Sequence, residues 1–368
     1  MTATATRRRA TTSDDVLASS GRFVPSPQGR IARFGVLGLL IVLVLAMPQL
    51  IPEVYTNILS RAAVYAVVAL SMNILVGYTG QVSLGHSAFL GVGAFASGYT
   101  ITELHLPFLF GFLVAALTGA LAAVLLGLVA LRLAGLYLAL VTIAYGQFAQ
   151  ETIFNIREIT GGGAGMGAAR PELLRDNARY AYFCFLIVAL VLAFDWRLTA
   201  TRAGRAIQAL RDDERVAASW GIDIARYKLL AFVASGVLCG IAGAMFASIE
   251  EIVSPQDFGF SLSLTFLLMT VVGGAGNRWG VAQGGILFAV LPTLLERAHE
   301  NFHVFPFTLI RATWEPAIAA VLLLLTLIFY PGGIAQQQAH LLRWLSFGPF
   351  KGEHHDEKPR GGAVGARP

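Results

Sequence analysis

The chain has 368 residues, 56% of them hydrophobic and 13% charged. Soluble-domain arithmetic does not apply, because apolar runs long enough to cross a bilayer recur along most of it, the mark of a polytopic membrane protein. Lys and Arg outnumber Asp and Glu by only 27 to 22, too small a surplus to argue for nucleic acid, and the two cysteines, Cys184 and Cys239, lie inside apolar runs, which argues for buried thiols rather than a disulfide framework.

Residues 1–30 are rich in Thr, Ser, Ala and Arg and read as a disordered cytoplasmic tail. Arg7, Arg8 and Arg9 lie too far before the first apolar run to belong to a secretory signal, and no cleavage site follows that run. Apolar spans then follow at about 32–51, 57–76, 82–102, 107–131, 135–155, 180–197, 229–249, 259–275, 280–297 and 311–330. The expected fold is therefore an all-α polytopic membrane protein of about ten spans. Its transmembrane domain covers 31–335, and 336–368 form a C-terminal cytoplasmic tail. With the N-terminus inside, the cytoplasmic pieces are the first tail, the turn at Arg132, the 197–228 loop, the turn at Arg278 and the tail from Pro331. They hold 20 of the 27 Lys and Arg, so both termini inside is the consistent orientation.

The motifs begin in the second and third spans. Leu70–Tyr99 reads LSMNILVGYTGQVSLGHSAFLGVGAFASGY, with Gly77, Gly80 and Gly85 among many glycines. Small residues let membrane helices approach closely, and packing is one reading of the run. The other is a substrate path, because Asn73, Thr79, Gln81, Ser83, His86 and Ser87 bring polar groups to the same place, where they are costly unless paired or facing a cavity. A lone histidine such as His86 is more often a hydrogen-bonded packing residue than a ligand. Farther on, Asn155–Arg179 forms a long outer connection holding the run TGGGAGMGAARP, with Thr160, Gly161, Gly162 and Gly165; such a run is a flexible loop or backbone shaped for a ligand. It is not a phosphate loop, since Ala168 and Ala169 stand where Lys and Ser/Thr are required. No HExxH, CxxC or Ser-His-Asp series occurs. No catalytic residue, metal site or cofactor is expected in the chain.

Arg197–Lys228 is the long charged segment between apolar ones. Asp212 can cap a short helix spanning about 213–220, Asp213 and Glu214 suit its positive end, Gly221 can close it, and Asp223 can cap the helix that follows. Ala206, Ile207, Leu210, Ala217 and Trp220 offer an interrupted apolar face. The segment is either a solvated, positive-inside loop or a docking helix for a cytoplasmic partner. A second glycine-broken apolar run, VVGGAGNRWGVAQGGILFAVLP, spans Val271–Pro292. Two interrupted spans at comparable places in two halves point to repeated architecture around a central path.

Five stretches resemble the branched-chain amino-acid (LivM-type) permeases of ABC importers. The run at Asn73–His86 is similar to the family's N-L-x-x-G-Y-x-G-x-x-S-x-G-H signature. Arg205, Ala206, Ile207, Arg211, Glu214, Ala217, Gly221, Ile222, Tyr227 and Lys228 match its cytoplasmic coupling loop. Gly273, Gly274, Gly276, Trp279 and Gly280 match L-G-G-x-G-x-x-W-G, with Val272 for leucine. Gly135–Gln147 and Ile159–Met166 resemble stretches before and around its T-G-G-x-x-G, where Gly163 and Ala164 replace a frequent Ser and acidic residue.

The resemblance implies a transport subunit rather than an enzyme, in the inner membrane. It also implies a second permease, two cytoplasmic ATP-binding subunits that hold ATP and Mg, and an extracytoplasmic solute-binding protein; membrane lipid surrounds the chain and nucleic acid is not a partner. Coupling to the ATPase would run through Arg205, Ile207, Arg211, Glu214, Ala217, Gly221 and Ile222. The path or its gate would include Gly77, Thr79, Gly80, Ser83, Gly85, His86, Thr160, Gly161, Gly162, Gly165, Gly273, Gly274, Gly276, Trp279 and Gly280. If size rules at the glycines, leucine should damage Gly80 and Gly274 more than alanine does. Two alternatives stay open: the same importer with urea, amides or a sugar as cargo, and an ion-coupled secondary transporter, which would need ionisable residues in mid-span.

Overall fold

The computed structural model describes residues 46–50, 52–133, 135–301, 321 and 333–336. The expected tail at 1–30, all but the first residue of that at 336–368, most of the span at 32–51 and nearly all of that at 311–330 lie outside the described residues. Within them the protein is mostly helical, and each of the eight apolar runs from 57 to 297 falls on one helix.

Helix α1 (Glu53–Asn73) passes directly into a π-helical turn, Ile74–Thr79, which Gly80 ends in the left-handed region at φ +70°. An irregular stretch to Gly85 precedes α2 (His86–Thr102), so the span expected from 82 begins four residues later. There follow α3 (Phe108–Ala130), α4 (Leu136–Glu151), the short α5 (Arg157–Thr160), strand β1 (Met166–Gly167) and α6 (Asn177–Ala200). Next come α7 (Arg202–Asp212), α8 (Glu214–Ser219), α9 (Ile224–Glu250), β2 (Ile252–Val253), α10 (Phe260–Gly273) and α11 (Arg278–Asn301). Among the described residues four helices are long and apolar enough to cross a membrane: 55–79, 108–130, 177–200 and 224–250. Helices α2, α4 and α10 have 17, 16 and 14 residues. Glycine shortens two of them: the Gly80–Gly85 stretch takes the start of α2, and Gly274, at φ +103°, ends α10.

Helix α9 sits at the centre, packed on α3, α2 and α1. A Cβ at Gly240 would collide with the Ala115 carbonyl of α3, one at Gly93 of α2 with the Gly240 carbonyl, and one at Gly236 with Gly119 and Ala123. Backbones meet here almost directly, which is how helices associate where lipid removes the hydrophobic drive between them. On the other side of α3, Leu109, Leu113, Leu117, Leu121, Leu125 and Leu128 stand exposed at helical spacing. In water that stripe would be a liability; against acyl chains it is the expected surface.

The two ends of the bundle differ. At one, β1 pairs antiparallel with β2, matching Met166 to Val253. Arg170 Nε donates to the Ser248 carbonyl at 2.6 Å while its guanidinium lies 4.2 Å from the centre of the Tyr180 ring, and Arg61 pairs with Glu250. The 155–179 connection is thereby folded and anchored. At the other end lie α7 and α8, the turn after α3, the break between α10 and α11, and residues 333–336, where Gly333 faces Gly274. Every described piece expected on the cytoplasmic side falls at this second end.

Substituting Gly240→Leu should abolish accumulation of folded protein in membranes. Gly163→Ala, at a position with open space where a Cβ would go, should leave yield unchanged. Size-exclusion yield from solubilised membranes measures both.

Candidate functional site

The two glycine breaks, distant in sequence, meet in space. A Cβ at Gly77 would collide with the Asn73 side chain and come within 2.5 Å of the Gly276 nitrogen. The contact is polar as well as close, since the Gly276 N–H donates to Asn73 Oδ1 at 2.7 Å. The Asn73 side chain, at the entry to the π-helical turn, therefore satisfies a backbone N–H of the turn before α11. Asn73 was legible as a polar residue in an apolar run, yet nothing in the sequence named its partner.

Arg211, from α7, binds the same place. Its Nη1 donates to the Gly77 carbonyl at 2.6 Å, its stem would be 3.4 Å from a Cβ at Gly80, and Nη1 would be 2.8 Å from one at Gly276. A guanidinium on a carbonyl at a helix C-terminus is favoured by charge and by hydrogen bonding together. Because Gly80 and Gly274 both hold left-handed backbone, alanine is strained there as well as leucine, so conformation limits these positions in addition to size.

Helices α7 and α8 lie against the membrane bundle. Thr201 caps α7, accepting from the Gly204 N–H. Asp213, not Asp212, caps α8, accepting from the Arg215 and Val216 N–H groups; Asp212 is the last residue of α7, so the helix runs from 214 to 219. Asp223 caps α9, and Gly221 adopts φ +80°, as the expected closure requires. Ile207 and Ala217 are buried, and Lys228, at 5% side-chain exposure, pairs with Glu214 at 2.7 Å. Trp220, expected on the apolar face, instead points out at 81% exposure, with Val216 exposed near it. Beneath the segment lies a cavity of about 340 Å³ between Thr79–Val82, Gly135, Leu138, Leu210–Glu214 and Lys228.

A second link joins the helix leading into α7 with the same breaks. Asp195 of α6 is fully buried; its carboxylate accepts from Tyr78 Oη at 2.9 Å and pairs with Arg278 Nε at 3.3 Å. Arg278 Nη2 donates to Thr199 at 2.6 Å. In the sequence Asp195 lies near the end of the 180–197 span and Arg278 in the turn before the 280–297 span. An acid and a base at the ends of two apolar runs were the available signal, and only packing showed that they face each other.

Deeper in the bundle, His86 bridges three helices. Ser235 Oγ donates its one hydrogen to the Ser71 carbonyl at 2.8 Å, so it must accept from His86 Nε2–H at 3.0 Å. His86 Nδ1 then accepts from Ser83 at 3.4 Å. Next to it, Ser87 and Ser263 share hydrogen bonds that tie α2 to α10. Gly85 lies against the Thr142 carbonyl of α4, and Thr79 bonds within its own turn.

The remaining expected path residues divide. Gly273 and Gly280 face each other across the α10–α11 break, whereas Trp279 is 58% exposed. Thr160, Gly161, Gly162 and Gly165 belong to the opposite end of the bundle, where Thr160 donates to the Phe154 and Ile156 carbonyls and Gly165 meets Val253. The 27 residues of α9, about 40 Å of helix, separate them from Arg211. Among the described residues no group of His, Cys, Asp and Glu could hold a metal.

Comparison with known proteins shows the family. Residues 54–330 match the family described as branched-chain amino acid transport system / permease component. The chain belongs to that family. It is 30% identical over 346 residues to the high-affinity branched-chain amino acid transport system permease protein LivM of Escherichia coli, covering 85% of this chain and 77% of that one. The autoinducer 2 import system permease protein LsrC of Klebsiella pneumoniae is 30% identical over 169 residues, 45% of this chain and 47% of LsrC. The probable branched-chain amino acid transport permease protein LivH of Methanocaldococcus jannaschii is 24% identical over 150 residues, 41% and 46% of the two chains. This permease is thus a multi-pass protein of the inner membrane and a transport component rather than an enzyme.

Two sets of substitutions test the polar links. Asp195→Asn or Arg278→Gln alone should destabilise the permease by about 3–5 kcal/mol, while Asp195→Leu with Arg278→Met should recover most of that loss in thermal unfolding in detergent. His86→Gln, whose amide can still donate to Ser235, should keep uptake within about twofold of wild type, and His86→Leu should lose about 1–3 kcal/mol of stability; equal stability of the two would remove the bridge.

Proposed function

We propose that the chain is one of two transmembrane subunits of an ATP-driven importer for branched-chain amino acids. The observation that carries the reading is Arg211: one side chain of the charged loop touches both glycine breaks of the bundle. Motion imposed on α7 and α8 by a cytoplasmic motor would reach Gly77 and Gly276 without an intermediary. A change of that kind requires only that the motor bind two states of the loop unequally.

In this reading Arg205, Ile207, Arg211, Glu214, Ala217, Gly221 and Ile222 form the coupling segment. Ile207, Arg211, Glu214 and Ala217 hold it to the bundle, and Val216 and Trp220 supply the surface for the ATP-binding subunit. Gly77, Thr79, Gly80, Ser83, Gly85, His86, Gly273, Gly274, Gly276, Trp279 and Gly280 belong to the path or its gate. Thr160, Gly161, Gly162 and Gly165 would face the solute-binding protein at the other end. About ten spans, both termini inside and a heterodimer with a LivH-like second permease complete the assembly, with ATP and Mg held in the motor subunits. Similarity to LivM over most of the chain favours branched-chain amino acids as cargo; the half-length match to the autoinducer 2 import permease LsrC keeps another solute, such as urea, an amide or a sugar, as the second reading. Ion coupling is disfavoured because Asp195 is engaged with Arg278 and His86 with serines.

The burial of Ala217 decides how to test this. Ala217→Trp would disturb the chain's own packing, so it cannot report docking. Trp220→Ala should weaken capture of the ATP-binding subunits. Arg211→Ala should leave capture intact but lower leucine uptake per ATP by about tenfold, ~1.4 kcal/mol of coupling. Normal uptake by both variants in reconstituted vesicles would return the loop to a solvated, positive-inside segment.

A further inference from the structure

A groove of about 390 Å³ runs along the start of α9, lined by Ala203 of α7 and by Arg226, Tyr227, Leu229, Leu230 and Val233. Arg226, Leu229, Leu230 and Val233 fall at i, i+3, i+4 and i+7, one stripe about 10 Å long on a helix long and apolar enough to cross a membrane. The stripe is polar at one end only. Arg226 and Tyr227 occupy the first turn, and the three apolar side chains follow toward the middle of α9.

No carboxylate among the described residues compensates the charge at the mouth. Among the described residues the ion pairs are Arg61–Glu250, Arg179–Asp176, Lys228–Glu214 and Arg278–Asp195, so neither Arg226 nor Arg202, beside Ala203, has a carboxylate partner. Asp223, the acid closest in sequence to Arg226, is directed at the Arg226 backbone N–H, at 3.1 Å. A guanidinium and a tyrosine above an apolar slot match the shape and charge of one neighbour already surrounding the protein. We propose that this groove is a binding site for a phospholipid with a net negative headgroup: the phosphate meets Arg226, Tyr227 lies at the headgroup level, and one acyl chain lies over Leu229, Leu230 and Val233. A protein partner could cover the rim, but the apolar wall lies below it, where acyl chains are the available occupants.

The site stands on α9 as a membrane helix and not on the cargo or the motor. Its test is native mass spectrometry of the full chain with its accompanying subunits, in micelles with equal amounts of phosphatidylglycerol and phosphatidylcholine. Phosphatidylglycerol adducts should exceed phosphatidylcholine adducts by about fivefold, and Arg226→Gln should remove that preference. Arg226 is exposed and its side chain supports no other described contact, so the variant keeps its fold. Leu230→Trp, which fills the slot without changing charge, should reduce adducts of both lipids. Equal adducts in wild type, an unchanged preference in Arg226→Gln, or full occupancy in Leu230→Trp would each overturn the proposal. So would displacement by millimolar inorganic phosphate, which marks a free-anion site, or a preference shown by the isolated chain and lost in the complex, which gives the groove to a partner subunit.

Discussion

Every backbone group at membrane depth must find a partner inside the protein, because lipid offers none. An unbroken helix meets that demand by itself; a broken one does not. Among the described residues this permease breaks its helices at two glycine-bearing stretches, Gly80–Gly85 and Gly274–Asn277, and backbone groups at these breaks find partners across the gap. The Gly276 N–H goes to Asn73 and the Gly77 carbonyl to Arg211. The architecture at this end of the bundle follows from supplying those two partners.

That supply has a functional consequence. The partner of the Gly77 carbonyl comes from α7, which is amphipathic and lies outside the apolar bundle. A peripheral segment thus completes the hydrogen bonding of the bundle's least regular backbone, so α7 cannot shift without changing it. Asp195 and Arg278 reinforce the link, because α6 runs through Thr201 directly into α7 while Arg278 begins α11 just beyond the second break. Buried ion pairs add little net stability against apolar replacements, yet losing one partner is costly, which suits them to holding elements in register.

Elsewhere the packing follows size more than polarity. Gly236, Gly240 and Gly243 let α9 lie against α3 and α2 at backbone contact, while the His86–Ser235 hydrogen bond joins α2 to α9 and Ser87 and Ser263 tie α2 to α10. The leucine stripe of α3 faces the other way. A helix apolar all round can serve both surfaces, and its small residues decide which side turns inward.

Much was legible before any coordinates. Apolar runs set the helices, because hydrocarbon thickness imposes a length and a composition that few other folds satisfy, and the signatures around Asn73–His86, Arg205–Lys228 and Gly273–Gly280 set the family. Local chemistry also fixed Asp223 as a cap and Gly221 as a left-handed closure, since both depend on neighbours in sequence. What the sequence could not determine depends on contacts between distant residues. Asp213 rather than Asp212 caps α8, because α7 extends one residue farther than its charge pattern suggests. Ala217 turns inward and Trp220 outward, because the bundle occupies one side of a short helix whose own pattern is symmetric enough to allow either. The pairing of Arg211 with Gly77, separated by 134 positions, leaves no periodicity to read. Tertiary structure decided it, since only the folded bundle brings a bare carbonyl and a guanidinium within 2.6 Å.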